Sequence, residues 1–154
     1  MERLTLDTPA QPGYEEDFVL WLDHQAELLR QGRVRELDLE NLAEEVEAIG
    51  RSDKREVQRL AVLLAHLLKY QFQETKRSRS WLSTIDEQRR QLELVFRDSP
   101  SLLKSYAPTV FEDSYRYARR KASSETRLSL ETFPEACPYT LIQTLDEDFL
   151  PEGS

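Results

Sequence analysis

Lys76, Arg77 and Arg79 stand just ahead of Trp81, with Lys69 before them and Arg89 and Arg90 after them, a density of cations that could hold a phosphate or a nucleic-acid backbone. Three of these cations precede a predicted helix start, whose unpaired backbone N–H groups and positive dipole end favour an anion. Tyr70, Phe72 and Trp81 add faces on which bases can stack. Lys76, Arg77, Arg79, Arg89 and Arg90 are therefore the candidate anion- or nucleic-acid-binding set. The competing reading is a solvated loop whose arginines pair with acidic residues of the same chain, with Trp81 anchoring the core.

Other chemistry is thinner. Glu40, Glu44 and Glu47 share one side of a predicted helix, with Glu45 beside them, as a hard cation or a di-metal centre would require. Helical di-iron sites also need a Glu three residues before a His. Those positions ahead of His24 and His66 hold Trp21 and Leu63 instead, so no metal and no cofactor is expected. His66 lies about opposite the main apolar stripe of its helix, where a neutral, hydrogen-bonded imidazole competes with a catalytic role beside nearby carboxylates. His24 sits among Asp17, Asp23 and Glu27 as a solvated pair. Cys137 precedes Pro138 at a possible helix start, a setting that can activate a thiol, but Glu135 opposes the shift and a second cysteine is absent. Phe133, Leu145, Phe149 and Leu150 make the tail too apolar for a free end. They fit either a strap across the helices or a docking strip for another chain. The G-x-S-x-G, Gly-rich phosphate-loop and H-E-x-x-H patterns do not occur, so no catalytic residue is assigned.

Composition narrows the class. The 154 residues carry a net charge of −8 and one Cys, which fits one soluble domain in a reducing, cytoplasmic setting without disulfides. Net charge is −9 over residues 1–50, +4 over 51–100 and −3 over 101–154, so the acidic whole hides a basic middle third. The longest apolar run, Leu60 to Leu68, is interrupted by His66 and is too short to span a bilayer, so no membrane role is expected. The first residues lack a cationic start followed by an apolar segment, which predicts no cleaved leader.

The elements that must position these residues read as helices. Leu occurs 24 times against ten for Val plus Ile, and no Gly falls between Arg51 and Glu152. A first helix is predicted from about Tyr14 to Gln31, with Gly32 ending it. Asp38 caps a second, with Leu39, Leu42, Val46 and Ile49 as its stripe and Gly50 as its stop. Ser52 caps a central third helix, from about Asp53 to Phe72, apolar on almost every side. Ser80 caps a fourth bearing Trp81, Ile85, Leu92, Val95 and Phe96, with Arg89 inside the stripe and in need of a partner if buried. Ser99 and Pro100 open a short fifth helix that Pro108 ends or kinks. A sixth carries Phe111, Ser114, Tyr115, Ala118 and Ala122, and one short helix between Pro138 and Leu145 interrupts an irregular tail. Trp81 is the expected stability anchor, worth about 3 to 5 kcal/mol against Ala if buried.

Taken together, YEEDFVLWLDHQAELLRQGRVRELDLENLAEEVEAIGRSDKRE, LLAHLLKYQFQ, RSRSWLSTIDEQRRQL, DSPSLL and FPEACPYTLIQTLDEDFLP resemble a bacterial helical family, best represented in cyanobacteria and catalogued as domain of unknown function twenty-nine. The resemblance runs from about Tyr14 to Pro151 without clear departure. It implies a small all-helical protein and brings no established activity, cofactor or substrate, so no residue role is carried over.

The expectation is an all-α, single-domain bundle of five to seven helices with a Pro-containing C-terminal strap. It comprises an N-terminal extension over 1–13, the helical domain over 14–151 and a tail over 152–154. The leading functional expectation is a cytoplasmic, non-enzymatic module that binds another protein or a second copy of itself. Phosphate or nucleic-acid binding through residues 76–90, as an antitoxin-like regulator would use, and an enzyme built on His66 are the alternatives.

Overall fold

The computed structural model describes residues 12–152. The expected extension over 1–13 and tail over 152–154 therefore lie outside the described residues, apart from Pro12, Gly13 and Glu152. The protein is all-α, with five long helices, one short one and no strand among the described residues. The chain divides into two compact units, residues 1–50 and residues 51–154.

In the first unit, α1 (Phe18–Arg30) is capped by Asp17, whose carboxylate accepts from the Leu20 N–H at 3.1 Å. Its start is four residues later than the sequence predicts. Gly32 follows at φ +70°, the left-handed conformation that ends a helix and that a β-carbon would strain. A short turn over Val34–Glu36 leads to α2 (Leu39–Glu56). Trp21, Gln25 and Leu28, spaced at helical intervals, are buried on α1. Asp38, just ahead of α2, ties the two helices. Its carboxylate accepts from Trp21 Nε1 at 3.1 Å and Asn41 Nδ2 at 2.9 Å, while its N–H donates to Gln25 Oε1 at 2.8 Å. Farther along α2, Glu45 accepts from the Tyr14 hydroxyl.

Gly50 does not stop α2, and Ser52 caps nothing. Gly50 keeps a negative φ, and the helix runs through it to Glu56. The break comes instead at Val57 and Gln58, where short bonds from Val57 N to Lys54 O (3.1 Å) and from Leu60 N to Val57 O (3.0 Å) tighten the turn. No Gly or Pro marks that place; full burial of Val57 beside an exposed Gln58 does.

In the second unit, α3 (Arg59–Phe72) is the predicted central helix, with Leu60, Leu63, Leu64, Leu67 and Leu68 fully buried. Burial on every side follows from its position between α4 (Arg79–Asp98) and α5 (Ala107–Thr126). Ile85, Arg89, Leu92 and Phe96 form the buried stripe of α4. The N-cap of α4 is Ser78, accepting from Trp81 N at 3.2 Å, and not Ser80; two serines in three residues made the local signal degenerate. Ala107, Ala118 and Ala122 give α5 a small-residue face that lets it approach α3 closely. Pro100 begins a helical turn that passes through a π-helical segment, Leu102–Tyr106, into α5. Pro108 then sits in the first turn of α5, where a missing N–H costs nothing, and opens the helix instead of ending it.

The tail is a strap. Phe133 is fully buried and meets Phe72 edge-on at 5.7 Å. The Tyr115 hydroxyl donates to the Pro134 carbonyl, Arg119 Nε to the Phe133 carbonyl at 2.9 Å, and the Tyr139 hydroxyl to Gln71 Oε1 at 2.7 Å. The short helix α6 (Leu141–Leu145), closed by a Thr140–Gln143 capping box, falls where the sequence places it.

Candidate functional site

The cations of residues 69–90 do not converge. Lys69 is buried, 3.6 Å from Glu125 and 5.5 Å from the centre of the Trp81 ring. Arg77 folds back on its own loop, donating from Nε to the Tyr70 carbonyl at 2.6 Å, lying 4.2 Å over the Tyr70 ring and standing 3.8 Å from Glu74. Arg89 is 5% exposed and donates to the carbonyls of Thr144 at 2.9 Å and Gln143 at 3.5 Å. Burial lowers its pKa against the pull of Asp86 and Asp146. Arg90 is exposed, but the hollow it lines, about 1110 Å³, sets Arg89, Arg90 and Arg97 against Asp86, Glu93, Glu147 and Asp148. A second, shallow hollow beside it holds Arg79 and Arg90 with Asp86 and Glu87. Lys76 and Arg79 are the exposed remainder of the set in the loop and first turn of α4. Trp81 is half-buried, so the fully sheltered indole is that of Trp21, 2% exposed.

The tail strip is mostly spent on its own chain. Phe133 is in the core, Leu145 and Phe149 lie partly buried against it, and Leu150 alone of the four is exposed.

The exposed apolar surface lies elsewhere. No residue of α2 is fully buried, and most of its stripe stands open, with Leu39 63% exposed, Val46 and Ile49 both 66% exposed and Leu42 half-buried. Leu39, Leu42, Val46 and Ile49 follow the three-four spacing of a coiled-coil seam. Asp38 and Glu45, one heptad apart on one flank, are held by Trp21 and Tyr14 of the α1 segment. Ala43 and Gly50 occupy the other flank, and a β-carbon on Gly50 would meet nothing within 4 Å. The apolar stripe was visible in the sequence; that it lies open was not.

His66 is half-buried. Its Nδ1–H donates to the Val62 carbonyl at 2.9 Å, which leaves Nε2 as the acceptor of a neutral ring. Burial lowers its pKa first, the bond to the Val62 carbonyl opposes that, and of the nearby charges Lys69 and Lys121 lower it further while Glu125 raises it. The ring does not line either hollow beside Arg90. Cys137 is partly buried, is not at a helix start, and has its pKa pushed up to about 11 by burial. Glu40, Glu44 and Glu47 lie on the exposed side of α2, and no group of three or more His, Cys, Asp or Glu among the described residues is arranged to hold a metal ion.

A cation cluster that sequence spacing did not reveal lies in the second unit. A hollow of about 680 Å³ is lined by Lys54, Arg55 and Arg59, by Lys121, and by Tyr106 and Tyr117 over a floor that includes Val57, Ala61, Val62 and Val110. These positions are up to 67 residues apart, and only the packing of the end of α2, the start of α3 and one face of α5 joins them.

No curated protein matches the chain. No solved structure matches it either. No helix among the described residues is long and apolar enough to cross a membrane. A family model described as domain of unknown function DUF29 matches residues 14–150, nearly the whole of the helical architecture described above, and the chain belongs to that family.

Proposed function

We propose that the protein is a non-enzymatic interaction module that binds a second copy of itself through the open seam of α2. The observation that carries this reading is an 18-residue helix with no buried residue, on which Leu39, Val46 and Ile49 are about two-thirds exposed and Leu42 is half-buried. The first unit shelters only Pro12, Trp21, Gln25 and Leu28 among its described residues. A unit with so small a core gains stability by covering its open apolar face with a second copy.

The helix is self-complementary when run antiparallel. Leu39 then faces Ile49 of the other copy and Leu42 faces Val46, the a-to-d layers of an antiparallel pair. The flank carrying Ala43 and Gly50 permits close approach of a neighbouring backbone. The helix dipole also selects this direction. Antiparallel helices set opposite dipole ends together, while parallel helices set like ends side by side. Four side chains make a patch smaller than the roughly 800 Å² that each partner gives a standard interface, so the dimer depends on concentration. The single cysteine suits a cytoplasmic setting.

Analytical ultracentrifugation of the full chain across a concentration series tests the reading. A monomer–dimer equilibrium is expected, and Val46→Glu and Ile49→Glu shift it to monomer without changing helicity. A protein that stays monomeric at every concentration, or a dimer indifferent to both substitutions, overturns it. The phosphate and nucleic-acid reading is not favoured, because Arg77 and Arg89 are committed to backbone carbonyls and Arg90 faces carboxylates.

A further inference from the structure

The hollow bounded by Lys54, Arg55, Lys121, Tyr106 and Tyr117 is lined wholly by residues of the second unit, shares no residue with the seam of α2 and asks for a different occupant. Its volume, about 680 Å³, is that of a small-molecule pocket. Four cations line it against two carboxylates, Glu56 and Asp113, in a chain whose net charge is −8. Both carboxylates already have partners. Glu56 lies 2.6 Å from Arg59 Nε, and Asp113 lies 3.1 Å from Arg116 outside the hollow. Arg59 is further fixed by a bond from Nη1 to Gln88 Oε1 at 3.2 Å. Lys54, Arg55 and Lys121 have no such carboxylate within ion-pair distance among the described residues and are the cations left to meet an anion.

The aromatic component is placed with equal economy. Val110, Asp113, Ser114, Tyr117 and Lys121 share one face of α5, and Tyr106, four residues before Val110 at the end of the π-helical segment, continues it. Lys54 Nζ stands 5.7 Å from the centre of the Tyr106 ring, and Tyr117 is 61% exposed. Tyr117 offers a planar apolar surface within the same hollow as these ammonium and guanidinium groups. The lining apolar residues Val57, Ala61, Val62 and Val110 complete a floor suited to a flat ring and not to a bare inorganic ion.

We propose that this hollow binds a mononucleotide, its base stacked on Tyr117 and its phosphates held by Lys54, Arg55 and Lys121. Stacking of a base on an aromatic side chain and charge-assisted bonds from Lys and Arg to phosphate oxygens are the two interactions the lining supplies. Ser114 adds a hydroxyl within the same wall.

Isothermal titration calorimetry on the full chain, with ATP, AMP and inorganic phosphate as separate titrants, tests the site. ATP is expected to bind more tightly than AMP, and both more tightly than phosphate. Tyr117→Ala weakens the nucleotides at least fivefold and leaves phosphate unchanged, whereas Lys121→Glu weakens all three at least fivefold. Arg90→Glu, on the acidic hollow of α4, changes none of them. Circular dichroism verifies the fold of each variant. Absence of heat with either nucleotide up to about 1 mM overturns the proposal. So does nucleotide affinity equal to that of phosphate, or affinity unaltered by both Tyr117→Ala and Lys121→Glu.

Discussion

Arg89 Nε donates to the carbonyl of Thr144 at 2.9 Å, both residues being buried, and so joins the middle of α4 to the end of α6. A guanidinium at the carbonyl end of a helix satisfies acceptors that have no intrahelical donor and opposes the negative end of the dipole. The contact explains how a cation can occupy the apolar stripe of α4. It also takes Arg89 away from any role in solvent.

Replacing Arg89 by Met should therefore release the strap. The change leaves the Thr144 carbonyl buried without its donor and should cost about 2 to 3 kcal/mol in urea unfolding. Limited proteolysis should cut first between residues 128 and 152. Arg89→Lys restores the charge without the planar fork and should recover only part of the loss. An unchanged unfolding midpoint would show that the strap is held by Phe133 and Tyr139 alone.

The two tryptophans should separate by environment. Trp21 is 2% exposed and bonded to Asp38, whereas Trp81 is half-buried under Lys69. Emission from a Trp81→Phe variant, which reports Trp21, should be blue-shifted and poorly quenched by acrylamide. Emission from Trp21→Phe should be redder and more readily quenched. Trp81→Ala should cost less than the roughly 3 kcal/mol at the lower end for a fully buried tryptophan.

Stability should fall as the solution is acidified through the titration range of His66. Its folded pKa is lowered, with burial as the main cause, so the folded state holds the proton less tightly than the unfolded chain does. The contribution is complete above the unfolded value of about 6.5 and is lost as pH falls through the lowered folded value. The lowered pKa values of Asp38 and Glu36 produce a separate loss at more acid pH, below about 4. Thermal midpoints measured from pH 7.5 to 5 should decline in the wild type, and His66→Asn should flatten that segment alone.

Cys137 should be a slow thiol. With its pKa pushed up to about 11 by burial, little thiolate is present at neutral pH. Alkylation by iodoacetamide at pH 7 should run roughly 100-fold slower than for an ordinary thiol of pKa about 8.5, and accelerate with each pH unit up to 10. Rapid labelling at pH 7 would show that the strap opens readily around residue 137.

Arg127 offers a route to a more stable protein. It follows α5 in the left-handed conformation at φ 62°, held there by bonds from Ser123 Oγ to the Leu128 carbonyl at 2.7 Å and from Leu128 N to Thr126 Oγ1 at 3.2 Å. Left-handed geometry costs a non-glycine residue about 1 to 2 kcal/mol. The added freedom of glycine in the unfolded chain takes back about 0.4 to 1 kcal/mol. Arg127→Gly should thus stabilise by roughly 0.5 to 1 kcal/mol in urea unfolding.

The helices, the central place of α3, the stop at Gly32, the start of α2 just after Asp38 and the short helix of the tail were legible in the sequence because each depends on local chemistry. Leucine spacing sets a helix face, Gly32 relieves a left-handed residue, and Asp is favoured just ahead of a helix. Local signals misled where neighbours decided the outcome. Gly50 does not end α2, because a glycine without positive φ costs a helix only about 1 kcal/mol, while the unmarked break at Val57 follows burial.

The site residues divide in the same way. Spacing showed the stripe from Leu39 to Ile49, the density of cations around Arg77 and the apolar character of the tail. Periodicity says which side chains share a face and is silent on what meets that face. Only tertiary structure turned Arg89 to the Thr144 carbonyl, sank Phe133 into the core, left the α2 stripe open and brought Lys54 beside Tyr106 and Lys121. Those outcomes rest on contacts between residues dozens of positions apart, and such contacts leave no period in the chain.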